Sequence, residues 1–475
     1  MGAANPAMNR DDQPLPPPLP QPENSDFTSE LITTITPSKS FYSISPENST
    51  EVIGSLNLLA NCTSTSSRVS VDLVLVIDVS GSMDGEKLDL VKKTLGFLLT
   101  QLNQNDRISI VTFSSDAKRI CKLTCCDEQG KKRLSLLIKG LKIEGSTNLV
   151  AGLEYSLCVL SGRKQVNQSS AVILLTDGVD HQSYTSIARA RGVIAKYPIS
   201  KDYSIHTFGY GSDHDSELLN SISDIKNGGF YYIQQFEGIS QAFANCLGEL
   251  MSVLYDDIQI SLETLNCQVP FSLTKVFSET GDNVFRLPGL IKGLTKEVIF
   301  LIDLHPGMIE QDEELNLRMV KANIKYRDVK IDEEKIRECF FEVKIRKETE
   351  EKPVVNEECL VNYFRFKSAE AIKISNEFGD MRDLDHAREH IESLLKKVKE
   401  SEVVSHKLTS VLISDLESAQ KNFVNESHYV QTGKVSNMKS AKSHWHKRGE
   451  DIDLYQNECQ HEMIGKSEDF FQNNH

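Results

Sequence analysis

Asp78-Val79-Ser80-Gly81-Ser82 spaces a carboxylate and two hydroxyls two residues apart, directly after the apolar run Val71–Ile77. Further on, Gly145-Ser146-Thr147-Asn148-Leu149 offers another hydroxyl just before a helical pattern. Thr176-Asp177-Gly178 then closes the apolar run Ala171–Leu175 with a second carboxylate. If those runs are strands of one sheet, three loops carry Asp78, Ser80, Ser82, Thr147 and Asp177 to the same edge. All five are hard oxygen donors with no His or Cys among them, a set suited to Mg²⁺, or less selectively to Ca²⁺ and Mn²⁺, and unsuited to zinc. Two carboxylates neutralise a divalent ion and the hydroxyls add no charge. Mg²⁺ takes six oxygens, so a position stays open for a negative ligand from outside, such as an Asp or Glu of a partner protein.

Other uses of these residues compete with that reading. An isolated Asp-x-Ser-x-Ser also serves as a helix N-cap; the later Thr147 and Asp177, each following the right kind of element, tip the balance toward metal. Asp84 and Glu86 read as solvated acids on the first turn of a helix rather than as a second cation site. Asp213-His214-Asp215 reads as turn and cap for a helix at Ser216. Catalysis is not expected: Ser80 or Ser82 as nucleophile needs a His held by a carboxylate, and His181, the one candidate in reach, reads as a loop residue. Gly81 and Gly85 do not form a phosphate-cradling GxxxxGK[ST] loop.

The elements that must position this edge alternate between strand and helix from Val71 to Tyr255. Val71–Ile77 is a buried strand, and Leu88, Val91, Leu95, Leu98 and Leu102 form one helical face. Ile108–Phe113, Ala171–Leu175, Ser204–Tyr210 and Phe230–Ile233 continue the strands; Lys131–Leu141, Asn148–Leu160, Ser186–Tyr197, Ser216–Ile225 and a long Ile239–Tyr255 supply helices. Strands too apolar to face water on either side predict a doubly wound, mostly parallel α/β sheet, whose ligands bind beyond the carboxyl ends of the strands.

Asp78, Ser80 and Ser82 match the DxSxS motif of the metal-ion-dependent adhesion site of the von Willebrand factor A domain family, with Thr147 at its later threonine and Asp177 at its TDG-type aspartate. The resemblance covers roughly Val71–Tyr255, fills all five ligand positions, and implies a Mg²⁺ centre used for protein binding. The wider layout resembles the intervening domain that follows this module in intracellular proteins of plants and ciliates, including RING-type ubiquitin ligases. A cysteine/histidine-rich RING is missing from this sequence, so what carries over as the alternative is an adaptor or substrate-recognition role in a ligase assembly.

Outside that domain, Ile258-Ile260-Leu262, Leu315-Leu317-Met319 and Phe341-Val343-Ile345 alternate with period two. The strand-like segment 41–60 is too short to fold alone. It is expected to join those strands in one antiparallel β-sandwich, with the α/β domain inserted between. The expected organisation is a disordered Pro-rich leader (1–37), first sandwich strands (38–66), the α/β domain (67–255), the sandwich (256–346), a helical subdomain (354–430) and a polar, partly disordered tail (431–475). In the helical part Gly379 reads as a helix stop, with Asp380 or Asp383 capping the next helix.

Over 475 residues the net charge is −15, which argues against a nucleic-acid binder. The basic cluster Lys439, Lys442, His444, Trp445, His446, Lys447 and Arg448 reads as a solvated tail. No run approaches the ~20 apolar residues of a membrane span. The ten cysteines include no CxxC pair, and no secretory leader is evident, so they read as reduced thiols of a cytoplasmic protein.

Overall fold

The chain enters on β1 (Ser29–Pro37), β2 (Tyr42–Ser43) and β3 (Thr50–Cys62), leaves for an α/β unit, and returns to pair with them. A computed structural model describes residues 12–16, 29–44, 47–62, 68–177, 183–199, 201–211, 215–233, 236–278, 281–306, 314–346, 351–447 and 455–473.

The α/β unit runs β4 (Val71–Asp78), α1 (Glu86–Gln101), β5 (Arg107–Phe113), β6 (Ala117–Cys125), α2 (Glu128–Lys139), α3 (Leu149–Ser161), β7 (Ser169–Thr176), α4 (Ser183–Lys196), β8 (Ser204–Tyr210), α5 (Ser216–Ile225), β9 (Phe230–Ile233) and α6 (Phe236–Met251). Its sheet has the order β6-β5-β4-β7-β8-β9, parallel except for β6. All eight residues of β4 are buried because both faces are covered. Leu73, Leu75 and Ile77 pack toward α1, α2 and α6, while Val74 and Val76 pack toward α3, α4 and α5. That double burial is why the strand reads as an unbroken apolar run.

Strands β10 (Val253–Thr264), β11 (Phe271–Val276), β12 (Val284–Leu287), β13 (Leu290–Ile291), β14 (Thr295–Leu304), β15 (Leu315–Asp328) and β16 (Glu333–Arg346) follow. One sheet is β1-β3-β14-β11; the other is β12-β10-β15-β16-β2, with β13 on β10. Val298 of β14 lies opposite Leu56 of β3, so the strands before and after the α/β unit share a ladder. The two sheets enclose one core, where Phe300 meets Phe341 edge-on at 4.9 Å. The α/β domain is thus inserted into a sandwich, as its strand patterning implies. One pair in it, β16 with the two-residue β2, is parallel.

Helices α7 (Glu357–Asp380), α8 (Leu384–Lys399) and α9 (Lys407–Asn422) follow; α10 (Glu426–His428) passes through a π turn (Tyr429–Gly433) into α11 (Lys434–His446), and α12 (Glu458–Asn473) ends the described chain. Among the described residues no helix is long and apolar enough to cross a membrane.

Several expectations are corrected here. Within the leader 1–37, Ser29–Pro37 forms β1, because alternate side chains such as Leu31 reach the sandwich core. The helix expected to run to Tyr255 stops at Met251, and Val253 opens β10, whose Leu254 and Tyr255 enter the sandwich core. Helix α7 continues past Gly379 to Asp380; the glycine serves close packing instead, since a Cβ there would lie 2.6 Å from the Tyr429 ring. The turn falls at Arg382, with φ of 64°, and Asp383 caps α8.

The tail 431–475 contains α11 and α12, both packed on other elements, and the basic cluster is mostly tied down. Lys442 contacts Asp224 at 2.6 Å, buried His444 contacts Asp415 at 2.8 Å, and Trp445 packs edge-on to Phe366 at 5.2 Å. Lys447 meets the buried Glu297 at 2.5 Å, and Glu297 also takes Arg365 at 3.0 Å. Lys442, His444 and Lys447 thus meet acids on three other elements, α5, α9 and β14, which fastens the tail to the α/β domain, the helices and the sandwich. Arg448 lies outside the described residues.

Candidate metal centre

Strand register puts the acids together. β4 and β7 are parallel neighbours with Ile77 opposite Leu175, so Asp78 ends one strand beside Thr176 of the other, and Asp177 stands one residue beyond. The chain leaves β4 for β5 on one side while β7 lies on the other, so the loops diverge and open a crevice at this edge.

Asp78 is fully buried. Its Oδ1 accepts from the Ser80 N–H at 2.8 Å and its Oδ2 from the Thr176 hydroxyl at 2.6 Å. Burial outweighs these hydrogen bonds, and the neighbouring Asp177 adds repulsion, so the Asp78 carboxyl is pushed up to about 6. After β4 the backbone makes a single 3₁₀ turn, Gly81–Met83, which returns Ser82 beside Ser80 with 3.2 Å between the hydroxyl oxygens. Ser82 donates to Oδ1 of Asp177 at 2.9 Å. Asp177 is also fully buried, and Lys87, in the first turn of α1, reaches its Oδ2 at 2.8 Å.

The Thr147 loop is pinned to the same edge. The Glu144 N–H donates to the Val79 carbonyl at 2.6 Å, and the Gly81 N–H donates to the Gly145 carbonyl at 3.2 Å. Gly145 has φ of 59°, and a Cβ there would lie 2.8 Å from Ser115 Oγ, so glycine is required by both backbone and space. Asn148 caps α3 by accepting from the Ala151 N–H at 3.2 Å. Thr147 is half-buried between these anchors, and among the described residues its hydroxyl makes no hydrogen bond to the other four.

The structure therefore links Asp78, Ser80, Ser82 and Asp177 through side-chain and main-chain hydrogen bonds and sets Thr147 on the adjoining loop. Thr176 and Lys87 were not singled out in the sequence. Thr176 was legible as the neighbour of Asp177, whereas Lys87 becomes visible only once α1 is seen to start over the edge. Asp84 is exposed and accepts from the Gly85 N–H, and Glu86 lies on the first turn of α1. Asp215 caps α5 by accepting from the Leu218 N–H at 3.0 Å. Gly178, His181, Asp213 and His214 lie outside the described residues. Among the described residues no three His, Cys, Asp or Glu side chains gather as a metal-binding group.

An α/β domain with this topology and an oxygen-rich edge is the class to which the comparisons also point. Residues 72–245 match the family model of the von Willebrand factor type A domain, so the chain carries such a domain. Over 252 residues it is 27% identical to the E3 ubiquitin-protein ligase WAV3 of Arabidopsis thaliana, a match spanning 49% of this chain and 31% of that protein. The chain matches less than two thirds of the length of this and the next two relatives. Among solved structures, the von Willebrand factor type A protein from Catenulispora acidiphila superposes with a TM-score of 0.63 at 16% identity, over 88% of this chain and 98% of that one. The ArnB paralog VWA2 from Sulfolobus acidocaldarius does so with 0.57 at 16% identity, over 88% and 100%. These two likenesses establish the fold across domain, sandwich and helices.

Proposed function

We propose that the chain is a metal-dependent protein-binding module in which Asp78, Ser80, Ser82, Thr147 and Asp177 hold one Mg²⁺, in a site open also to Ca²⁺ or Mn²⁺, and a partner's Asp or Glu completes the coordination. One observation carries the reading: the spacing of the oxygens. Ser80 Oγ to Ser82 Oγ is 3.2 Å and Ser82 Oγ to Asp177 Oδ1 is 2.9 Å. Adjacent ligands of an octahedron with ~2.1 Å bonds stand about 3 Å apart. A cation would also relieve the buried Asp78, whose ionised form the surrounding protein resists. The ion supplies a strong, directional contact to a carboxylate, and this chain's residues orient it and leave its outward face open. No catalytic group is assigned, and the module is placed in the cytoplasm.

Affinity purification with Mg²⁺ or with EDTA, using Asp78→Asn as control, tests this. Partners retained in Mg²⁺ should be lost in EDTA and in the variant; an unchanged set would refute the mechanism. The match to a named ubiquitin ligase supports a second reading, an adaptor or substrate-recognition part of a ligase assembly. Ubiquitin-transfer proteins among the Mg²⁺-dependent partners would favour it.

A further inference from the structure

At the other end of the same sheet, residues 12–16 lie along β6, the edge strand. Gln13 donates its N–H to the Leu123 carbonyl at 3.0 Å. The outward N–H groups of the edge are met by side chains: Leu123 donates to Asp12 Oδ1 at 3.1 Å, and Cys125 to Gln13 Oε1 at 2.7 Å. Arg119 of β6 holds Asp12 at 2.5 Å, with side chains only 7% and 10% exposed. Arg107 is fully buried and gripped by Asp72 at 2.8 Å through two nitrogens; it donates its remaining nitrogen to the Gln13 carbonyl at 3.0 Å. The Leu15 N–H donates to Gln165 at 2.6 Å. Cys125 lies opposite Arg107, so this docking sits near the amino ends of the parallel strands, away from the Asp78 edge.

We propose that the β6 edge is a binding site for an extended peptide with an acidic residue opposite Arg119 and an accepting carbonyl opposite Arg107, and that Asp12–Pro16 is a built-in competitor occupying it in cis. An unpaired sheet edge is a template for strand addition, with main-chain bonds giving affinity and side chains giving selectivity. The resident segment fills that template imperfectly. It offers one main-chain hydrogen bond to the ladder and replaces the others with side chains, and Pro14 and Pro16 have no N–H to extend it. Oδ2 of Asp12 is buried without a hydrogen-bond partner, which weakens the docking. A segment presenting its main chain in register could satisfy these groups better. The fixed guanidinium of Arg107 belongs to the receptor, since Asp72 holds it in place independently of residues 12–16.

The test uses the full chain and a fluorescein-labelled peptide of residues 8–20, read by fluorescence anisotropy. Tethering gives the resident segment an effective concentration of order millimolar. The Asp12→Ala/Gln13→Ala chain should therefore bind the peptide at least tenfold more tightly than wild type. Adding Arg119→Gln should weaken that binding about tenfold. A peptide carrying Asp12→Asn should bind the unmodified double variant about tenfold more weakly, a control that leaves the fold untouched. Equal binding by wild type and the double variant, or equal binding of the two peptides, would overturn the proposal; so would no binding to the double variant at millimolar peptide.

Discussion

Replacing Asp78 by Asn should make the metal-free protein more stable at neutral pH while abolishing its response to metal. The carboxyl is fully buried and pushed from 3.8 to about 6 by that burial, despite hydrogen bonds from Ser80 and Thr176. A pKa raised in the folded state means that folded protein holds the proton more tightly than unfolded chain. The stabilising contribution is therefore complete below pH ~4, is lost as pH rises through about 6, and stays lost above it. About two units at ~1.4 kcal/mol each give a penalty of order 3 kcal/mol at pH 7.5. Asparagine keeps the shape: its oxygen can accept from the Ser80 N–H, and its NH₂ can face the Thr176 hydroxyl, which then accepts. In EDTA at pH 7.5, Asp78→Asn should raise the melting temperature by several degrees, at ~2–4 °C per kcal/mol for a domain of this size. At pH 4 the two proteins should melt together. With Mg²⁺ the order should reverse, because only wild type gains binding free energy. Because the ion must displace the Asp78 proton, its affinity should climb as pH rises through about 6. Thermal unfolding over pH 4–8, with and without Mg²⁺, reads all of this. A variant less stable than wild type in EDTA at pH 7.5 would refute the picture of a buried charge awaiting a cation.

Lys87→Gln should destabilise the metal-free protein by about 1 kcal/mol, since Asp177 loses its cation, and should tighten Mn²⁺ binding several-fold by removing a competing charge; calorimetric titration checks both. Gly145→Ala should cost about 1–2 kcal/mol from its positive φ and weaken Mn²⁺ binding by displacing the Thr147 loop, measured by thermal unfolding and titration. Arg365→Met should destabilise by about 3–5 kcal/mol, because Glu297 is left buried with one of its two cations gone, and should expose α11 to limited proteolysis.

The convergence of Asp78, Ser80, Ser82 and Asp177 on one sheet edge was legible because these residues sit at or just beyond the ends of strands that announce themselves. Val71–Ile77 and Ala171–Leu175 are buried on both faces, so their apolar runs mark where Asp78 and Asp177 must emerge. The sandwich was legible for a related reason: β10, β15 and β16 each pack one face and so alternate, and the isolated segment 41–60 had to find partners. Strand β6 was not, since Ala117–Cys125 carries Lys118, Arg119 and Lys122 and reads as neither pattern. It is an edge held on one side by β5 and on the other by side chains 107 to 112 residues earlier, a pairing that local sequence does not encode. The cluster from Lys439 to Lys447 looked like a solvated tail because its acidic partners, Asp224, Glu297 and Asp415, are far away in sequence. Asp72 inside an apolar strand was passed over for the same reason: Arg107 on β5 and Arg163 in the loop after α3, which neutralise it, lie 35 and 91 residues away.

The central claim rests on one divalent ion held where β4 and β7 end. Titration of the EDTA-stripped protein with Mn²⁺, followed by the paramagnetic resonance of the free ion, counts bound ions directly. One tight site per chain is predicted in wild type, lost in Asp78→Asn and in Asp177→Asn and weakened in Thr147→Ala. A tight site that survives in both aspartate variants would place the ion elsewhere and contradict the account.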